Sequence, residues 1–561
     1  MNQTLVWGLV LVIGLVVVAV GFIFYNPFNN MVTVNSNGTA INQSTNNTNL
    51  NQTNNTSNTL TLPAILFPLI HYSKTYHDQG TSTSSNSESG SSPLSMDQII
   101  SLLDAYIKSV FPQTGIPGAA VLIVQNDEIL YMNCLGVRDL ASGAPVTTNT
   151  LFEIGSCSKA FSALNVYQLV EKGIMSWDDK VSKYFNSTEF QFYDSTITDS
   201  ITLKDAILMR TGLPSQGGSA FFSVFNDSFA DTLYQFRYLA NDTAFRSKFQ
   251  YNNVFYCIPS YAAARACNTT WDDLIKEYLL DPLGMTTATT NYTDLLNSPD
   301  HATSYIVTYN GTLIEYHWPN IDGVGPSGSI AVSISEMANW LEFQIAGTGE
   351  YNGIYICSVE TLADTHTPQI EAKEGAYFGY GWGITDDCIS FDGSTGSSQT
   401  KVAIIPSKNL GIALLSNEGP YGSAFNKAIY AKLQDLLNGI YDSDPWVTCK
   451  ESTDATTLIS PPDNPVPSLP LSTYVGLYFN SFYGYINVTA NNSSLICYYG
   501  NNSEASELVH WNDSEFFDPK YSASITFTDI SNDTANQLVS PFPDNNDTNQ
   551  EKSYAVFNRT E

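Results

Sequence analysis

Ser156 and Lys159 lie three positions apart in Phe152-Glu153-Ile154-Gly155-Ser156-Cys157-Ser158-Lys159. A strand- or loop-like stretch ends there and a helical pattern begins, carried by Phe161, Leu164, Val166, Leu169 and Val170 and stopped at Gly173. That spacing puts both side chains on one face at the helix start. A serine hydroxyl is a weak nucleophile and needs a base beside it. An amine one turn away accepts its proton once burial has lowered the amine's own affinity for one. A helix N-terminus also favours the negative charge that develops in such an attack. Taken alone, Ser-x-x-Lys usually describes a serine cap followed by a surface lysine.

A second group of residues changes that balance. Phe249-Gln250-Tyr251-Asn252-Asn253 ends an extended segment and precedes a small-residue helix over Ser260 to Ala266. A tyrosine hydroxyl relays a proton between nucleophile and leaving group, and an asparagine amide holds a substrate carbonyl or a catalytic amine. The blocks FEIGSCSKAFSAL, LMRTGLPS, FQYNNVFY and DPLGM, in that order, resemble the successive motifs of the β-lactamase-related serine hydrolases. That family includes class C β-lactamases, DD-peptidases and related esterases, and the resemblance runs from about Ser95 to Leu437. It implies an α+β fold, an α/β sandwich with a mainly antiparallel sheet and a helical lobe. It also implies Ser156 as acylated nucleophile, Lys159 as its amine partner, and Tyr251 and Asn253 from the second motif.

The third motif departs from the family pattern. Where the family usually carries Lys-Thr-Gly or His-x-Gly, this chain has Phe391-Asp392-Gly393-Ser394. Gly393 lets the strand approach a substrate, and the Ser394 amide with that of Ser156 would form an oxyanion hole. Phe391 removes the cation that holds a substrate carboxylate. The expected activity is therefore cleavage of an ester or amide through an acyl-Ser156 intermediate, rather than a true β-lactamase or D-amino-acid peptidase. The alternative from another class is a catalytically inactive binding or structural protein that keeps the fold. A Ser-His-Asp triad is disfavoured: His71, His77, His301, His317, His366 and His510 stand in no Gly-x-Ser-x-Gly context, and His366 reads as a loop residue.

Composition narrows the partners. The chain carries 54 acidic and 23 basic residues, a formal charge of −31. That excludes nucleic acid, which needs clustered Lys and Arg, and a basic face for anionic lipid. A small-molecule or peptide substrate remains. No Cys-x-x-Cys pair or close Cys/His cluster points to zinc, and no cofactor is implied. Eight cysteines permit disulfides in an oxidising compartment.

The elements that must position these residues follow from periodicity. Met96 to Val110 reads as a helix, with Ile99, Ile100, Leu102, Leu103, Tyr106 and Ile107 at helical spacing. Gly118 to Val124 with Ile129 to Leu135, and Lys401 to Ile405 with Leu410 to Leu415, read as hairpins whose strands unite distant parts of the chain in one sheet. The expected organisation is an N-terminal transmembrane anchor or signal over 1–30, built on the apolar run Leu5 to Tyr25. A disordered polar stalk (31–94), the hydrolase domain (95–440), a linker (441–471) and a small, lipocalin-like β-barrel (472–561) follow. The anchor or signal, with Asn-x-Ser/Thr triplets recurring from Asn37 to Asn558, implies a membrane-anchored or secreted glycoprotein with a lumenal or extracellular catalytic domain.

Overall fold

The computed structural model describes residues 94–225, 227–316, 320–502, 504–542 and 554–560, with two short strands, Thr33–Val34 and Ala40–Ile41, before them. They fall into two compact units that divide between Ser460 and Pro461.

The first unit begins with helix α1 (Met96–Thr114). Ser95 caps it by accepting from the Gln98 amide while the Gln98 side chain returns to the Ser95 amide, a capping box. Gly115, at φ 74°, ends it. Its buried stripe Ile99, Leu103, Ile107 and Val110 packs on alternate residues of the central sheet, among them Ala119, Val121 and Ile123. That sheet has nine strands: β1 (Gly118–Gln125), β2 (Glu128–Asp139), β3 (Ala144–Pro145), β4 (Ile370–Lys373), β5 (Ala376–Phe378), β6 (Gly383–Thr385), β7 (Cys388–Ser394), β8 (Gln399–Ile405) and β9 (Leu410–Ser416). In space they run β4-β5-β6-β7-β8-β9-β1-β2-β3, every pair antiparallel. The pairing of β9 with β1 joins the two expected hairpins.

Between β3 and β4 the chain forms a mostly helical lobe containing α2 (Ser158–Glu171), α3 (Asn253–Cys267) and α4 (Ile334–Ala346). After β9 comes α5 (Pro420–Leu437), which packs with α1 on one face of the sheet. Leu341 and Ile345 of α4 press on Gly411 of β9 from the other face. With both faces covered, β1, β8 and β9 are buried almost throughout, and their sequences read as apolar runs instead of alternating.

Two expectations change here. The segment 441–471 was expected as a linker, yet it contains α6 (Pro445–Thr457). Trp446 is buried in the α1–α5 core, and Tyr421 of α5 donates to Asp454 at 2.7 Å. Asp444 precedes that helix and Pro445 opens it, while Pro461, Pro462, Pro465, Pro467 and Pro470 follow it in irregular chain, where the two units divide. The second correction concerns the membrane. Among the described residues no helix is long and apolar enough to cross one, so the membrane anchor and the localisation that rested on it are withdrawn. Leu5 to Tyr25 lies outside the described residues, as does the expected stalk apart from Thr33–Val34, Ala40–Ile41 and Leu94.

The second unit is a closed antiparallel barrel of β10 (Gly476–Asn480), β11 (Gly484–Ala490), β12 (Leu495–Tyr499), β13 (Ser506–Asn512), β14 (Glu515–Asp518), β15 (Ala523–Ser531), β16 (Thr534–Ser540) and β17 (Ala555–Arg559). β10 pairs with β17 to close it. Its interior is occupied by its own rings: Tyr474 lies 4.8 Å from Phe527 and Tyr483 5.5 Å from Phe542, and all four are buried. These rings pack on one another as a side-chain core. All eight cysteines of the chain are free thiols.

Candidate active site

Gly155, Ser156 and Cys157 form a single tight turn that leads straight into α2. Gly155 holds φ +50°, and a side chain there would meet the Ser394 amide nitrogen at 2.5 Å. On the facing strand, a side chain at Gly393 would meet the Ile154 carbonyl oxygen at 1.9 Å. Both glycines are therefore required by the approach of β7 to the serine turn. This contact brings the third motif to the first, with the Ser394 amide beside the residue that precedes Ser156.

Asn252 caps α3 by accepting from the amides of Val254 and Phe255. The cap fixes Tyr251 just before the helix and Asn253 at its first turn. Tyr251 and Ser156 hydroxyls are 2.7 Å apart. Lys159 donates to Ser156 Oγ at 3.2 Å, to Asn253 Oδ1 at 2.7 Å and to the Ser327 carbonyl at 2.8 Å. The structure thus brings Ser156, Lys159, Tyr251 and Asn253 together, with Gly393 and Ser394 against the same turn.

The electrostatics follow from burial. Lys159 is completely buried, and its three acceptors are neutral oxygens. Desolvation lowers its pKa to about 7, against an opposing effect of Cys257 and Cys157. Burial moves the Tyr251 phenol the other way, far above its usual range, partly offset by its bond to Ser156. The two groups are separated in role: near neutral pH the amine can lose a proton and the phenol keeps its own. Ser156 remains partly accessible.

The family model described as Beta-lactamase matches residues 96–436. The chain belongs to the beta-lactamase family. A second model, a domain of unknown function, matches residues 460–551 and so covers most of the barrel. Unguisins hydrolase ungD of Aspergillus violaceofuscus is 24% identical over 66% of this chain and 73% of its own length. Protein flp of Staphylococcus aureus is 23% identical over 60% of this chain, which spans 65% of that relative. The octameric penicillin-binding protein homologue from Pyrococcus abyssi superposes with a TM-score of 0.54 at 20% identity, covering 82% of this chain and 99% of its own. That likeness is one of fold.

Within the beta-lactamase family frame, the third motif keeps its unusual aromatic. Phe391 is nearly buried on β7, opposite Val402, and its ring lies 6.0 Å from that of Phe378. Asp392 faces the other side, where Lys401 donates to it at 3.0 Å. His366, expected in a loop, caps the C-terminus of a short helix and is bonded to Gln344 Oε1 at 2.7 Å. Burial lowers its pKa to about 4. It serves the core.

Three contributors escaped the sequence reading. Gln216 accepts from Asn253 Nδ2 at 3.4 Å and sits just beyond the LMRTGLPS block, a position that block could have flagged. Tyr256, inside FQYNNVFY, donates to the Lys159 carbonyl at 2.7 Å. Ser327 acts through a backbone carbonyl, which no side-chain pattern announces. Among the described residues no group of three His, Cys, Asp or Glu is arranged to hold a metal ion.

Proposed function

We propose that this protein is a serine hydrolase that cleaves an ester or amide of a small molecule or peptide through an acyl-Ser156 intermediate. The observation that carries this reading is the buried amine of Lys159 at 3.2 Å from Ser156 Oγ, with no acidic side chain among its acceptors. Lys159 in its neutral form takes the Ser156 proton as Oγ attacks the substrate carbonyl. The amides of Ser156 and Ser394 stabilise the tetrahedral oxyanion. Tyr251, still protonated, passes its proton to the leaving group and is reprotonated by the Lys159 ammonium, which took the proton of Ser156. Asn253 keeps an acceptor on the amine. Water then attacks the acyl carbonyl by the reverse relay and frees Ser156.

The test is covalent labelling of the full chain with a fluorophosphonate, wild type against Ser156→Ala. Labelling confined to the wild type, with both proteins melting at similar temperatures, is the expected result. Equal labelling of both puts the nucleophile elsewhere. An absence of labelling in either favours the inactive alternative, which Phe391 in the third motif supports.

A further inference from the structure

Phe391 begins a series of ring contacts that ends at the nucleophile. Phe391 and Phe378 centroids are 6.0 Å apart, Phe378 and Phe249 5.1 Å, and Phe249 and Tyr251 6.4 Å. Tyr251 in turn touches Ser156 through its hydroxyl at 2.7 Å. The arc therefore spans from the third-motif strand to the second motif. Phe378 is fully buried and Phe391 nearly so, while Phe249 keeps a partly exposed ring. The lysine of the adjacent strand does not interrupt the arc, because register sets Lys401 opposite Asp392 and Phe391 opposite Val402. Its amine is bonded to Asp392 on the opposite face of the sheet. A carboxylate brought against this wall of rings would lose water without gaining a hydrogen bond from them, whereas an apolar group gains by leaving water.

We propose that Phe249, backed by Phe378 and Phe391, is the specificity surface for an uncharged, apolar acyl group. The inference rests on the serine hydrolase reading above and narrows its substrates to neutral esters or amides of medium-chain or aromatic acids. The acyl portion is the part that stays on Ser156 through both half-reactions, so the Phe249 face beside Tyr251 contacts it throughout, with Phe378 and Phe391 supporting it from behind.

The experiment uses p-nitrophenyl esters from acetate to octanoate with the full chain. Each added methylene should raise kcat/KM about three- to fourfold, the equivalent of ~0.8 kcal/mol per buried methylene, mainly through KM, until the wall is covered. Phe249→Ala should lower the octanoate-to-acetate ratio at least tenfold, and Phe249→Leu, which keeps an apolar face, should retain most of it. A wild-type series that is flat, or a selectivity that Phe249→Ala leaves intact, overturns the proposal while fluorophosphonate labelling of Ser156 still supports the hydrolase. Binding separates the failures in the other direction. Wild type should bind neutral hexyl phenyl ketone at least tenfold more tightly than anionic 6-phenylhexanoate, and Phe249→Ala should weaken the ketone. Equal or reversed affinities overturn the wall even if no ester is turned over.

Discussion

The active-site cleft and the barrel both bury tyrosine hydroxyls against polar partners, and they do opposite things with them. In the barrel, Tyr499 donates to Asp518 at 2.6 Å, Ser506 donates to its other oxygen, and the amides of Lys520 and Tyr521 complete the set. All the donors converge on one acceptor, and the group is sealed from water. Such a network rigidifies a core and has no unmet demand. In the site, Lys159 meets only neutral acceptors and Ser156 stays partly open. Reactivity lies where burial is left electrostatically uncompensated, not where polar groups are most numerous.

The largest effect that sharpens this contrast is on turnover. Lys159→Met and Tyr251→Phe should each lower kcat/KM by about 10²–10⁴-fold. Both should cost little stability: Lys159→Met removes a desolvated amine but leaves the Asn253 and Ser327 oxygens without their donor, and the two effects oppose each other. The wild-type rate should rise with pH through about 7 as Lys159 loses its proton. A rate that is flat between pH 5.5 and 8.5 would remove Lys159 from the role of base.

Stability should respond to pH in the opposite direction, through a residue outside the site. Glu418 is fully buried, with one oxygen accepting from Gly422 at 3.0 Å and the other without a hydrogen-bond partner. Burial raises its pKa to about 8, from an ordinary value of 4.5. A folded-state pKa above the unfolded one stabilises fully below the lower value and loses that contribution as pH rises towards the upper one. The loss from pH 4.5 to 8 should reach about 4 kcal/mol at most. Urea unfolding of Glu418→Gln at pH 5 and pH 8 should show a smaller difference than wild type. An unchanged difference would mean that Glu418 finds a partner on ionising. Activity and stability would then oppose one another across neutral pH.

Most of the first unit was legible because its signals are local. Ser95 and Gln98 cap α1 from adjacent positions, and β1 and β9 carry apolar runs that only strands buried on both faces require. Ser156, Lys159, Tyr251 and Asn253 come from two motifs, and the resemblance of those motifs to the family implied their meeting. What was hidden depends on backbone and register. The Ser327 carbonyl has no residue-type signature, and the side of the sheet that Lys401 faces is set by its pairing with Asp392. Trp446 shows a third kind of concealment: one buried ring makes a helix of a segment whose composition reads as linker. The barrel's aromatics gave no sign of which face they would take, because inward-facing rings look alike whether they line a ligand or touch each other.

Phe391→His tests the cleft at intermediate strength. It returns a polar donor to the strand where the family usually has one, and a charge-assisted hydrogen bond is worth roughly 1.5–3 kcal/mol. Against wild type, kcat/KM for a penicillin relative to a short acyl ester should rise about ten- to a hundredfold. If wild type already prefers the penicillin and the substitution leaves that preference unchanged, the aromatic is not what sets the substrate charge.

The smallest effect belongs to the barrel. Tyr499→Phe keeps the ring that lies 5.4 Å from Tyr521 and removes only the hydroxyl that donates to Asp518. Burial pushes the Asp518 pKa up, against the donors that converge on its two oxygens. Ser506 and two amides remain as donors, and the carboxyl is not orphaned. The loss should be about 0.5–1.5 kcal/mol, read as a shift in the denaturation midpoint without a change in slope. Tyr251→Phe, the same deletion in the cleft, should cost little stability and most of the activity. If Tyr499→Phe instead destabilises by more than about 3 kcal/mol, the remaining donors do not compensate and the barrel network depends on this one hydroxyl. If Tyr251→Phe destabilises as much as Tyr499→Phe and hydrolyses normally, the two tyrosines are structural alike and the contrast between the regions fails.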